Sequence, residues 1–348
     1  MNRKVSILLA LSVLTTTHVL ANTSSDEDPH PNQASLAAVS NRVVASELSQ
    51  AISYRLLGVG GGFRIRLGQT DTNSDVNMAR DRSERRGWVL ASNAPTPIPE
   101  ESFDWSTITL WGTPVVSGVE NRIAPLTSEG TVKILMLGAE HTSEDEQTVM
   151  GLVISKDWLD IDTTYNQGTI TGSGITYSPY LVHMLDAEWT LDASFGMGRS
   201  DTTSKSPGLT SEPELDRRFI TVGLTRAQMH GKWFVMYKGA VSSSEDKVKA
   251  FVYSDGQLGT ASTTRLNQLR LGIYATYNNP PVSPFIAVYQ MYNDFSVSSA
   301  SEVKPREYGS TQQMQIGLNA SSGPLYGAVA YQIEKGRTQW RIYGGVRF

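Results

Sequence analysis

The carboxy-terminal segment 340–348 alternates strictly between two kinds of residue. One set is apolar or glycine and the other includes two arginines: Trp340, Ile342, Gly344, Val346 and Phe348 against Arg341, Tyr343, Gly345 and Arg347. Period-2 alternation predicts a β-strand with one apolar face. In a soluble sheet that face turns towards a core. In a membrane barrel it turns towards lipid, and the arginines turn towards a wet lumen.

Residues 1–21 have the form of a secretory signal peptide. Arg3 and Lys4 make a cationic start, residues 5–14 are almost wholly apolar, and Ala21 offers a small residue for cleavage. The apolar run is too short for a membrane anchor, which needs about 20 residues. We therefore exclude 1–21 from the fold and expect an exported protein.

The chain of 348 residues contains no cysteine and carries a net charge of -4. An exported chain of this length without disulfides needs a large core or a closed sheet. The sequence has no basic patch with interleaved aromatic residues, so we expect no nucleic-acid partner.

The segment upstream of the strands divides into three parts. Residues 22–35 are polar and acidic and predict a disordered leader. Residues 36–57 predict an amphipathic α-helix, since their apolar residues recur at helical spacing: Leu36, Val39, Val43, Val44, Leu48, Ala51, Ile52 and Leu56. Residues 58–102 begin with glycines that stop the helix and read as a linker with prolines near its end.

Residues 103–348 predict an all-β domain, because strand-like runs follow one another with turn residues between them. We count twelve strands, at about 104–116, 131–142, 147–162, 168–181, 187–199, 217–229, 232–244, 266–278, 284–295, 310–321, 324–334 and 337–348. The connections are alternately short and long, and the long ones are 200–216, 245–265 and 296–309. Short turns at one rim and long loops at the other are typical of an antiparallel transmembrane barrel.

Three features compete with this interpretation. A soluble β-sandwich also has short strands and turns, and the predicted strand 131–142 is apolar on both faces around Ile134. The predicted strand 147–162 loses its phase near Lys156, which suggests a β-bulge. The terminal strand, the signal peptide and the loop asymmetry together favour the barrel.

Strand parity predicts an inward, polar face: Asp192, Lys238, Arg270, Gln313, Gln315, Glu334, Arg341 and Arg347. On a lipid face these charges would cost about 2–4 kcal/mol each near the midplane. They either line a wet lumen that grips the helix through Arg42, Glu47 and Arg55, or simply keep the inner wall soluble through ion pairs between strands.

We expect no catalytic site, metal or cofactor. His141 beside Glu140, near the acidic run 144–146, is either a cation or acid–base cluster or a solvated turn, and charge runs are usually solvated. The sequence lacks the G-x-S-x-G, H-E-x-x-H and P-loop motifs.

An amphipathic helix, about twelve amphipathic strands and the ending Tyr343 to Phe348 together resemble the translocator β-domain of autotransporters, the family of type V secretion. A terminal strand of this kind is also generic to bacterial outer-membrane barrels. The resemblance covers roughly 103–348, with the helix 36–57 as an extension. It implies a barrel-assembly signal at Trp340, Ile342, Val346 and Phe348, and a helix lying in the lumen.

By this resemblance the protein is a monomeric barrel in the bacterial outer membrane, inserted by the barrel-assembly machinery with periplasmic chaperones. Its very short passenger is passed through the lumen or housed in it. Two alternatives remain open: a small channel plugged by the helix, or a surface adhesion module that uses the long loops.

Overall fold

The computed structural model describes residues 63–66, 108–122, 127–143, 145, 147–297, 308–322 and 325–346. The predicted signal peptide, leader and helix, and nearly all of the predicted linker, lie outside the described residues and remain predictions. In the described part of the chain, no helix is long and apolar enough to cross a membrane.

Twelve long strands form the body of the molecule. They are β2 (Ile108–Asn121), β3 (Ser128–Thr142), β4 (Thr148–Thr163), β5 (Gly168–Met184), β6 (Trp189–Ser206), β8 (Glu214–His230), β9 (Trp233–Val248), β12 (Ser262–Tyr277), β13 (Val282–Val297), β14 (Tyr308–Ser322), β15 (Leu325–Glu334) and β16 (Arg337–Val346). Each pairs antiparallel with the next, and β16 pairs with β2, so the sheet closes into a barrel. The prediction of a closed twelve-strand antiparallel barrel is confirmed.

Four short strands lie beside this barrel. β1 (Phe63–Arg66) pairs with β2, and β7 (Leu209–Ser211) pairs with the end of β6. β10 (Phe251–Val252) and β11 (Leu258–Gly259) pair with each other in the connection between β9 and β12.

Burial alternates along the long strands, and this alternation separates an outer face from an inner face. Large apolar side chains are exposed on the outer face, for example Leu135 and Leu137 on β3, Ile220 and Val222 on β8, and Ile316 and Leu318 on β14. The residues between them lie on the inner face, where Met136 and Thr221 are buried. An exposed apolar band around a closed sheet is the surface that a barrel presents to lipid.

Aromatic residues mark one end of this band. Trp189 and Trp233 are the first residues of β6 and β9, and the Trp233 ring lies 5.3 Å from the Tyr277 ring at the end of β12. The Arg226 guanidinium lies 5.7 Å from the Trp189 ring. Amphipathic aromatic rings and nearby cations at this level fit a membrane–water interface.

The prediction of long loops is wrong in part. The predicted loop 200–216 is mostly strand, since β6 continues to Ser206 and β8 begins at Glu214. The predicted loop 245–265 shortens to 249–261. Above the apolar band the outer face carries ion pairs, such as Arg199 with Asp216 at 3.2 Å. The strands therefore extend beyond the apolar band with polar residues on both faces.

The predicted bulge near Lys156 is also wrong. β4 pairs residue for residue with both neighbours through this position, to Leu135 on β3 and to Ile175 on β5. Lys156 lies on the outer face, where its Nζ donates a hydrogen bond to Ser173 Oγ at 3.1 Å. The long aliphatic stem of lysine lets the charged group reach a polar partner from an apolar surface.

Candidate functional site

The inner wall of the barrel is the candidate site, and it has two different sectors. From β2 to β5 it is largely apolar, with buried residues such as Val132, Ile134, Met136, Val153, Ile161 and Ile170. From β8 to β16 it carries aromatic residues between polar and charged ones. The sequence predicted a polar wall throughout. That prediction missed the apolar sector because β3 and β4 are apolar on both faces.

A charged triad crosses the wall between these sectors. Arg217 Nη1 lies 3.2 Å from Asp157 Oδ1, and Arg217 Nε lies 3.9 Å from Asp246 Oδ1. Arg217 Nη1 also donates a hydrogen bond to Thr176 Oγ1 at 3.4 Å. The three charged side chains are at most 1% exposed. Two carboxylates thus surround one guanidinium.

Glycines on the intervening strands make room for this triad. Gly174 on β5 faces Asp157, and Gly198 on β6 faces Arg217. A Cβ atom on Gly174 would lie 2.9 Å from Asp157 Oδ1, which is closer than such atoms normally approach. Because these glycines have no side chains, Arg217 and Asp157 can approach each other across the two intervening strands.

A second ion pair joins Asp192 on β6 to Lys238 on β9, with Oδ1 and Nζ 3.8 Å apart. Gly223 on β8, between them, would place a Cβ 2.7 Å from the Asp192 carboxylate oxygens. The structure thus brings together two of the predicted inward residues across an intervening glycine.

Arg270 on β12 lies flat against an aromatic ring. Its guanidinium carbon is 3.8 Å from the centroid of the Tyr289 ring, and its Nη2 donates a hydrogen bond to Gln313 Oε1 at 2.6 Å. This arrangement satisfies one end of the guanidinium and stacks the rest, which suits a planar delocalised cation.

The last three strands add a further polar group. Arg341 donates a hydrogen bond to Gln332 Oε1 at 3.0 Å, and Thr311 donates one to Glu334 Oε1 at 3.0 Å. Gln315 is 3% exposed on the same wall. Seven of the eight residues that were predicted to point inward thus lie on the inner face. Arg347 lies outside the described residues, as do Arg42, Glu47 and Arg55.

Aromatic rings cover glycines on neighbouring strands at several levels of the wall. Trp111 lies over Gly138 and Tyr180 over Gly151, each within 2.6 Å of where a Cβ would be. Trp111 Nε1 donates a hydrogen bond to Tyr180 Oη at 3.1 Å, and Tyr180 donates one to Glu140 Oε2 at 2.7 Å. Because glycine has no side chain, a large aromatic ring can lie directly on the backbone of the neighbouring strand.

The hairpin β10–β11 packs at the rim reached by the longer connections. Phe251 and Tyr253 are buried there, with ring centroids 4.9 Å apart, and join the apolar sector of the wall. The Ser254 N–H donates a hydrogen bond to the Thr210 carbonyl at 2.8 Å, which ties the hairpin to β7.

Glu140 and His141 do not come together in one cluster. Glu140 is buried on the inner face, whereas His141 is exposed on the outer face of the same strand. Among the described residues, no group of three or more His, Cys, Asp or Glu side chains is placed to hold a metal ion.

Two residues of the implied assembly signal, Trp340 and Ile342, lie on β16 opposite Gly118 and Val116 of β2. Trp340 and Ile342 are exposed on the outer face. Val346 is the last residue of β16, and Phe348 lies outside the described residues.

Sequence reasoning missed the triad of Asp157, Arg217 and Asp246. Asp246 lay in a predicted loop and Asp157 beside the predicted bulge, so parity was not applied to either. The detectable signal was the spacing of Asp157 from Leu159 and Ile161, which share its parity and its face.

No family model matches the chain, and no curated protein matches its sequence. Among solved structures, the translocator domain of the autotransporter NalP from Neisseria meningitidis matches with a TM-score of 0.55 at 12% identity, over 72% of this chain and 90% of that one. The β domain of the Bordetella autotransporter BrkA matches with a TM-score of 0.52 at 15% identity, over 67% of this chain and 97% of that one. At such low identity these matches establish a shared fold.

Proposed function

We propose that this protein is an outer-membrane barrel of the autotransporter type whose lumen passes or houses its own amino-terminal segment. One observation carries the proposal: the closed barrel corresponds in fold to nearly the whole of two translocator domains, 90% of one and 97% of the other.

The closed sheet suits a lipid environment. Every barrel strand pairs on both sides, so its backbone groups find partners without water, which a bilayer core requires. The exposed apolar band faces the lipid. Because the number of barrel strands is even, the start of β2 and the end of β16 lie at the same rim, which we assign to the periplasm.

The two-sided inner wall supports a lumenal place for the predicted helix 36–57. The apolar sector on β2 to β5 offers a surface to the apolar stripe of that helix. The charged sector offers both signs to Arg42, Glu47 and Arg55, through acidic groups such as Asp246 and basic groups such as Lys238. An amphipathic helix needs both kinds of surface to be covered on all sides.

The signal peptide 1–21 directs export, and the barrel-assembly machinery with periplasmic chaperones inserts a monomeric barrel into the outer membrane. The hairpin β10–β11 then faces the cell exterior. The work of the protein is structural, without catalysis, metal or cofactor.

An ion-conducting channel is the second candidate. The observation that favours it is the charged sector itself, which runs from Arg217 on β8 to Arg341 on β16 and carries both signs. Mixed charges along a lumen hydrate a path for ions as readily as they bind a helix.

Surface labelling of intact cells tests the main proposal. An epitope is inserted after Gln33, and two controls carry the same epitope after Gly256 in the β10–β11 hairpin and after Gly231 in the short turn between β8 and β9. The Gly256 epitope is expected to be labelled on intact cells, and the Gly231 epitope only after the outer membrane is opened. Heat-dependent gel mobility checks that each barrel is folded.

With these controls in place, labelling at Gln33 on intact cells supports passage of the segment to the surface. If Gln33 is reached only after the membrane is opened, passage is wrong. Deletion of 35–58 then separates the remaining roles. A rise in single-channel conductance after deletion indicates a plugged channel, and unchanged conductance rules out a helix that blocks the lumen.

A further inference from the structure

The edge of β2 that faces β16 is shared by two partners. β16 pairs with the upper part of this edge, from Arg337 opposite Asn121 to Tyr343 opposite Val115. The short strand β1 pairs with the lower part, from Phe63 opposite Gly112 to Arg66 opposite Thr109. Both partners run antiparallel to β2, so β1 continues the line of β16 in the same direction.

β1 takes the places that the end of the chain would take. Continued one residue at a time, the register of β16 would put Val346 opposite Gly112, Arg347 opposite Trp111 and Phe348 opposite Leu110. β1 instead puts Phe63, Arg64 and Ile65 at these three places. The two segments have the same pattern of residue types at these places, an apolar residue, an arginine and an apolar residue.

Pro114 marks the boundary between the two partners. The pairing of β2 with β16 stops at Val115, next to Pro114, whereas the pairing of β2 with β3 runs through Pro114 without interruption. Proline has no N–H group to donate to a ladder. A missing donor on the edge that faces β16 weakens continued pairing there and leaves the lower edge of β2 open to another strand.

We infer that the lower edge of β2, Thr109 to Gly112, is a peptide-binding edge, and that segment 63–66 occupies it in competition with residues 346–348. Each N–H and C=O group of a strand edge pairs with one partner at a time, so the two segments exclude each other. Addition of an extended peptide to an exposed edge draws its affinity from these main-chain bonds. The ligand is the protein's own triplet Phe63-Arg64-Ile65.

This inference goes beyond the proposed function, because it fixes a point upstream of the barrel to the wall near the start of β2. It requires only the barrel fold. It therefore stands or falls independently of whether Gln33 reaches the cell surface.

Disulfide trapping tests the inference directly, since the natural chain has no cysteine. Residues opposite each other on antiparallel strands have Cα atoms about 4.5 or 5.5 Å apart, within the range that a disulfide spans. One variant carries I65C with L110C, and its competitor carries F348C with L110C. A third, Y343C with V115C, reports the upper edge, and an out-of-register pair, I65C with V115C, sets the background. Each is oxidised in the membrane, and linked peptides are measured by mass spectrometry.

The expected result is loss of free thiols and a linked 65–110 peptide well above the background pair, with the 348–110 link in the minority. P114V restores a backbone donor and is expected to shift the yield from the 65–110 link to the 348–110 link. P179V, on β5 away from this edge, is its control and is expected to shift nothing. If the 343–115 link forms while the 65–110 link stays at background, the inference is overturned, whether or not the 348–110 link appears.

Discussion

Arg217 Nη1 lies 3.2 Å from Asp157 Oδ1, although two strands, β5 and β6, separate β8 from β4 in the sheet. The two side chains come into contact above the lumenal surface of those strands, where Gly174 and Gly198 have no side chains to separate them. The contact therefore depends on the closed shape of the barrel as well as on strand pairing.

Replacing Arg217 by Met should destabilise the barrel strongly. The change removes the guanidinium that lies against Asp157 and Asp246. Loss of one partner from a buried ion pair costs about 3–5 kcal/mol. The measurement is the urea midpoint in lipid vesicles, together with the temperature of the heat-dependent gel shift.

Arg218→Met is the matched control, because Arg218 is the next residue and is exposed on the outer face. It should change the midpoint little. Adding Asp157→Asn and Asp246→Asn to Arg217→Met should recover part of the lost stability. Equal effects of Arg217→Met and Arg218→Met would show that the triad contributes nothing.

Gly118→Ala should loosen the junction between β16 and β2. A Cβ on Gly118 would lie 1.9 Å from Trp340 Nε1, so the indole ring must move. Overpacking of this kind costs about 1–3 kcal/mol. Gly239→Ala is the control on the same outer face, since its nearest atom, Leu271 Cδ2, is 3.3 Å away. Shrinking the ring with Trp340→Leu should relieve Gly118→Ala; if it does not, the clash is not the cause.

The strands were predictable because alternation of apolar and polar residues reports the two faces directly. β12, for example, has Leu269, Leu271 and Ile273 outside and Arg270 inside, and its predicted range differs from the observed one by four residues at one end and one at the other. The signal disappears where the two faces are alike. On β6 beyond Arg199 both faces are polar, so strand was predicted as loop.

The partners of the inward residues were not predictable. Parity places Asp192 and Lys238 on the same face, but their contact depends on which strands lie next to each other in the closed sheet. The same holds for Arg217, whose partners come from β4, β5 and β9. The sequence pattern indicates on which face of the sheet a residue lies, but it does not give the distance between two residues across the barrel.

Arg270→Gln should lower stability more than a surface change of the same type. The substitution removes the cation–π contact with Tyr289, and such a contact contributes about 0.5–2 kcal/mol. Arg265→Gln removes an exposed ion pair to Glu245 at 2.7 Å, which contributes about 0–1 kcal/mol. The urea midpoints of the two variants give the comparison. A larger effect at Arg265 would contradict the assignment.

The turn 185–188 should make stability depend on pH in the acid range. The pKa of Glu188 lies below its ordinary value of 4.5, because the Gln228 amide donates a hydrogen bond to its carboxylate at 3.0 Å and the Arg226 guanidinium lies 2.8 Å away. A carboxyl with a lowered pKa stabilises the fold above pH 4.5, and this contribution is lost as the pH falls through the lower, folded-state value. Glu188→Gln should therefore weaken the turn at pH 7, and its difference from the natural protein should begin to shrink below about pH 4.5 and vanish once the pH lies below the folded-state value. Hydrogen exchange of the Ala227 amide, which donates to the Glu188 carbonyl at 2.9 Å, reports the turn locally. Glu212→Gln, at the opposite rim, is the control and should leave that amide unchanged, and a difference at Glu188 that persists undiminished at pH 3 would refute the linkage.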